Sequence, residues 1–131
     1  MFIKIILAAA IAWFAAQVLK FIIDGLRNRR FNSKMLVYPG KMPSGHTATV
    51  IAMTSMIFLI EGFSSLFAVA MIFSIIIMYD AVTVRRQVGL INNALNGKLR
   101  KKLRYFEGHT MPQVVVGALI GVIVALLVFL I

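Results

Sequence analysis

The chain has 131 residues, 61% of them hydrophobic and 14% charged, with a formal net charge of +10. That charged fraction lies well below the ~25% usual for soluble domains, and the mean hydropathy of +0.95 points to a membrane. Cysteine is absent and only Asp24, Glu61, Asp80 and Glu107 are acidic, which excludes disulfides, thiolate zinc centres and cysteine nucleophiles and argues against a carboxylate-bound metal.

In chain order, four apolar segments are predicted as membrane spans within a single domain of residues 1–131, at about 1–23, 46–60, 64–79 and 112–131. The first and last match the roughly 20 residues that cross a bilayer as a helix, and the middle two are short enough to need extension at their ends. The first does not read as a cleaved signal, because no basic leader and short apolar core close with a cleavage site. Glu61-Gly62-Phe63 leaves a tight hairpin between the second and third spans. The predicted fold is therefore all-α, a polytopic membrane helix bundle of about four transmembrane helices with one or two short interfacial helices. Residues 92–104 are the candidate for such a surface helix, with Leu95, Leu99 and Leu103 at four-residue steps.

Twelve of the fourteen Lys and Arg residues lie in two basic loops, 27–41 and 85–104, and four crossings put both on one face. Charge so placed reads as topology and contact with anionic lipid, not as a nucleic-acid surface. The expected location is a cell membrane, crossed several times, with the loop face cytoplasmic. In the last span Gly117, Gly121 and Ala125 recur every four residues, a pattern that lets helices approach closely, either inside the bundle or across a homodimer seam.

The candidate site residues gather on the loop face. Pro43-Ser44-Gly45-His46 opens the second span; Ser44 is a natural N-cap, and Gly45 allows a backbone amide to approach an anion at the positive end of the helix. Lys20 and Arg27 stand two helical turns apart and so share a direction. Arg85-Arg86 follows the third span, where either guanidinium suits phosphate, and Asp80 is expected to pair with an arginine because an unpaired carboxylate at that depth is expensive. Gly108-His109-Thr110 precedes the fourth span, with Gln113 four residues after His109 on the same helical face. The Gln113 carbonyl is suited to accept the imidazole N–H and fix its tautomer.

Taken together, these segments resemble the three ordered motifs of the type 2 phosphatidic acid phosphatase and vanadium haloperoxidase superfamily. The resemblance is closest to its small divergent membrane branch, through Gly40-Lys41-Met42-Pro43-Ser44-Gly45-His46, Met78 to Arg86 and Gly108-His109-Thr110. It implies that Lys20, Arg27 and Arg85 or Arg86 hold phosphate oxygens with Ser44 and the Gly45 amide. It also implies that His109 attacks phosphorus, that His46 protonates the leaving oxygen, and that no metal or other cofactor is needed. Three departures stand out. Asn28 replaces the proline after the first-motif arginine, which leaves Arg29 and Arg30 as alternatives to Arg27. Arg86 and His109 stand 23 positions apart, and Gln113 occupies the place of a carboxylate.

The implied function is a membrane-integral, metal-independent phosphatase acting on a lipid or isoprenoid mono- or diphosphate through a histidine nucleophile, with a cytoplasmic-leaflet intermediate of phospholipid synthesis as a candidate substrate. The alternative is a non-catalytic membrane protein that binds anionic lipid headgroups through the same basic face. The expected partners are the lipid phosphate and the surrounding membrane lipids, with no nucleic acid and with a homodimer left open.

Overall fold

The computed structural model describes residues 1–36, 41–98 and 108–131. Five α-helices account for most of them: α1 (Phe2–Asn28), α2 (Gly45–Glu61), α3 (Ser65–Val82), α4 (Val84–Asn96) and α5 (Met111–Leu130), with a short 3-10 turn at Ser33–Leu36 and no strand among the described residues. The helices that begin at Phe2, Ser65 and Met111 are long and apolar enough to cross a membrane, whereas α2 is apolar but only 17 residues long.

The shortest of the four apolar helices, α2, is also the central one. It packs against α1, α3 and α5, and small residues make that possible. Ala8, Ala12 and Ala16 of α1 meet Ala48, Ala52 and Met56 of α2, with Val124 and Ala125 of α5 completing the core. Gly117 and Gly121 lie so close to α2 that a Cβ on them would come within 2.5 Å of the Ser44 carbonyl oxygen and 2.7 Å of that of Ala48. The four-residue stripe of α5 is thus spent inside the bundle and is not free to serve as a dimer seam. Lipid tails offer no hydrophobic gain for helix association, so close backbone approach supplies van der Waals contact instead.

Between α2 and α3 the glue is polar. Thr54 Oγ1 and Ser74 Oγ lie 2.8 Å apart, Thr54 also donates to the Ala70 carbonyl at 3.2 Å, and Ser74 to that of Val50 at 3.2 Å. Removing both hydroxyls, as Thr54→Val with Ser74→Ala, is expected to lower stability by about 0.6 kcal/mol per interhelical bond and at most ~1.7 kcal/mol. Unfolding of the purified variant in mixed micelles measures it.

Two elements differ from the sequence expectation. The first helix does not stop near residue 23 but runs to Asn28 and closes at Arg29 in the left-handed conformation, φ 52°; polar residues leave the apolar pattern there without breaking the helix. Arg85 and Arg86, expected in a loop, open α4. The surface helix begins at Val84 because the apolar step pattern starts there, not at Asn92. Leu99, Leu103 and the rest of 99–107 lie outside the described residues, as does Gly40.

All the motif-bearing ends meet at one end of the bundle. The Ser44 amide donates to the Gln113 carbonyl at 3.2 Å, joining α2 to α5, and the His109 amide donates to the Ala81 carbonyl at 3.0 Å, joining the start of α5 to the end of α3. Lys41, just before α2, reaches Asp24 of α1 at 2.6 Å.

Candidate active site

A polar line runs along α1. Gln17, Lys20 and Asp24 are buried, at steps of three and four residues, and Arg27 continues the line at the exposed end. On a helix that is otherwise apolar, polar side chains on one face turn to the bundle interior. Lys20, Asp24 and Arg27, with Asn28, meet Lys41, Met42, Gly108, Thr110 and Gln113 around a cavity of about 550 Å³, which Gln17 does not line. Among the described residues, three cationic side chains, Lys20, Arg27 and Lys41, therefore share the cavity with one carboxylate, Asp24. Asp24 Oδ1 accepts from Lys41 Nζ at 2.6 Å and from Asn28 Nδ2 at 2.9 Å.

Between the lining residues Gly108 and Thr110, His109 is 4% exposed and is not itself part of the lining. Its Nδ1 lies 3.2 Å from Gln113 Oε1, and the same oxygen accepts the Thr110 amide at 3.1 Å. An oxygen that already accepts one N–H must be an acceptor to the ring too, so Nδ1 carries the proton and Nε2 keeps its lone pair. Gln113 does two jobs: it completes the capping box of α5 with Thr110 and sets the histidine tautomer. Burial, above all, pushes the His109 pKa below its ordinary value. Lys20 and His46 push the same way, while Gln113 and the Lys41 backbone carbonyl oppose them.

The ring is thus expected to stay neutral as pH falls past the ordinary histidine value of about 6.5. Because the unfolded chain takes up the proton that the folded chain refuses, stability is expected to fall as pH drops through that range. A ¹⁵N-detected titration of the imidazole, showing an Nδ1–H tautomer and a midpoint below the ordinary value, checks both statements.

The other residues singled out in the sequence divide into three groups. Ser44 is fully buried and caps α2, its Oγ accepting from the Thr47 amide at 3.4 Å and the Thr47 hydroxyl at 2.9 Å. That cap serves Thr47 and leaves the Gly45 and His46 amides to other partners. A Cβ on Gly45 would make only ordinary contact, 3.6 Å from Trp13, so packing does not demand glycine there.

His46 is exposed, within electrostatic reach of Lys20, Arg85 and Asp80, and is not part of the cavity lining. Arg85 Nε binds Asp80 Oδ2 at 2.5 Å, the pairing expected of that carboxylate. Neither Arg85 nor Arg86 lines the cavity, whereas Arg27 does and Arg29 instead terminates α1. The Arg86 backbone touches the site in another way: a Cβ on Gly108 would fall 2.2 Å from the Arg86 nitrogen. The Gly108–His109 loop is pressed against the α3–α4 corner, which closes the long sequence gap between Arg86 and His109.

Sequence reasoning missed Gln17, Asp24 and Lys41. The three-four spacing from Gln17 through Lys20 and Asp24 to Arg27 is a signal that reveals the first two. Gln17 is 6% exposed and its Oε1 has no hydrogen-bond partner among the described residues, a buried acceptor close to Gly45.

Among known proteins, the chain is 33% identical over 143 aligned positions to the uncharacterized membrane protein YuiD of Bacillus subtilis (strain 168), covering 92% of this chain and 90% of that protein. No solved structure matches it. The apolar helices and this likeness mark a membrane protein, and the match of residues 3–124 to the family described as the Divergent PAP2 family shows that the chain belongs to that family.

Proposed function

We propose that this protein is a metal-independent lipid phosphate phosphatase that works through a histidine nucleophile. One observation carries the reading: a buried imidazole, hydrogen-bonded at Nδ1 to Gln113, sits between Gly108 and Thr110 of a cavity also lined by Lys20, Arg27 and Lys41. A phosphate group in that cavity meets cations that stabilise the charge of the transferring phosphoryl group, the role Mg²⁺ plays in other phosphoryl-transfer enzymes.

His109 Nε2 forms a bond to phosphorus as the ester P–O bond breaks. His46 delivers a proton to the departing oxygen, and water then hydrolyses the phosphohistidine. The Gly45 amide, at a position where packing leaves room for a side chain, is suited to approach a phosphate oxygen. Arg85 or Arg86 joins this set by turning from the α3–α4 corner. The substrate is a mono- or diphosphate on a lipid or isoprenoid chain in the leaflet that faces the basic loops, which the Lys/Arg bias assigns to the cytoplasm.

The test is phosphate release by the purified protein from a panel of lipid phosphates. Hydrolysis is expected to survive chelator and to be inhibited by vanadate; loss on EDTA treatment with rescue by Mg²⁺ rules the mechanism out. The second reading, headgroup binding without turnover, draws on Gln113, a neutral amide where the resemblance expects a carboxylate that also stabilises the imidazolium. It predicts lipid binding that needs the cavity cations but neither histidine.

A further inference from the structure

Helix α4 faces the wrong way for a helix resting on a protein core. Val84, Val88, Ile91 and Leu95 fall at steps of four, three and four residues and form one apolar stripe. In a water-soluble fold that stripe turns inward. Here all four are exposed, at 57%, 48%, 56% and 44%, and Leu90 beside them at 55%. A flanking side turns toward the protein, where Gly89 is buried and Asn92 and Asn96 are half-buried, while Asn93, opposite the stripe, is exposed. Among the described elements α4 packs against α3 alone.

Where the helix sits says what covers the stripe. Only Thr83 separates α4 from α3, an apolar helix with the composition of a membrane span, so α4 starts at the membrane boundary. Its charges fit that place: residues 84–98 contain Arg85, Arg86 and Lys98 and no acidic residue, a composition drawn to anionic headgroups.

We propose that α4 lies in the plane of the membrane surface, with Val84, Val88, Ile91 and Leu95 sunk among the acyl chains of one leaflet. The occupant of the stripe is lipid. Because the Gly108–His109 loop is pressed on the Arg86 backbone and bonded to the Ala81 carbonyl, α4 holds His109 at the depth of the lipid headgroups. The inference needs no catalytic activity and stands or falls apart from the phosphatase reading.

The natural absence of cysteine makes a direct test simple. Full-length protein carrying a nitroxide at a single cysteine (Val88→Cys, Ile91→Cys or Asn93→Cys) is reconstituted into vesicles of phosphatidylcholine and phosphatidylglycerol. All three positions are exposed, so the labels displace no packing. At 88 and 91, relaxation by dissolved oxygen is expected to exceed that by a water-soluble nickel chelate several-fold, with the reverse at 93. Nickel exposure at 88 and 91 equal to that at 93 places the stripe in water and overturns the proposal. Shielding from both reagents, with spin–spin broadening, overturns it in favour of a second copy of the chain.

Discussion

Replacement of His109 by alanine is expected to eliminate turnover of a lipid phosphate together with any acid-labile phosphoenzyme. His46→Ala is expected to retain the covalent intermediate and to lose roughly 10²–10⁴-fold in rate, the range of general acid–base catalysis. The asymmetry follows from position. His109 is buried with its tautomer set by Gln113, whereas His46 is exposed, where a proton donor can be recharged from water. The His46→Ala deficit is expected to shrink for an aryl phosphate, whose leaving group needs less protonation. Phosphoenzyme trapped in His109→Ala but not in His46→Ala reverses the two roles, and full activity in both variants leaves only headgroup binding.

Two glycines give the second large effect, and they are expected to fail for opposite reasons. Gly108→Ala puts a methyl group 2.2 Å from the Arg86 nitrogen and 2.6 Å from the Arg85 carbonyl carbon, both backbone atoms that cannot swing aside. The loop must move, His109 with it, and a displacement of about 1 Å is enough to lower the rate 10²-fold. Thermal stability is expected to drop as well. Gly45→Ala meets nothing closer than Trp13 at 3.6 Å, so it is expected to fold with unchanged stability, and a role of the Gly45 amide in holding phosphate is expected to show as a raised KM. Melting temperature and KM measured side by side on both variants separate the cases. A normal KM in a well-folded Gly45→Ala protein removes the Gly45 amide from the site.

Much of this arrangement was legible because one residue type had one physical use. Ser44 before an apolar run reads as a cap, and it is one. Gln113, one turn after His109, was legible as a ring partner; its second role in the capping box was written in its three-residue spacing from Thr110. The Asp24–Lys41 pair was not legible, since its partners stand 17 positions apart across a turn and no periodicity links them. Asp24 itself carried a signal, because it continues the line from Gln17 and Lys20. The core alanines of α1 and α2 were hidden by composition: in so apolar a chain, small residues at every fourth position do not stand out. The onset of α4 was obscured by Arg85 and Arg86, whose charge suggested a loop although the apolar steps around them are helical.

The cavity has two walls of unequal stiffness. On one side α2 and α5 are joined main chain to main chain through Ser44 and Gln113, with Gly117 seated directly on the Ser44 carbonyl. Parting them exposes two peptide groups where little water is at hand to replace the bond. On the other side, the hydrogen bond that joins the segment before α2 to α1 among the described residues is a side-chain one, Lys41 on Asp24. That bond can be exchanged for a bond to an incoming anion without unfolding any backbone. A guest wider than the resting cavity is therefore expected to part the Lys41–Asp24 pair before the Ser44–Gln113 bond, which leaves the helix that carries Gln113 and orients the imidazole in place.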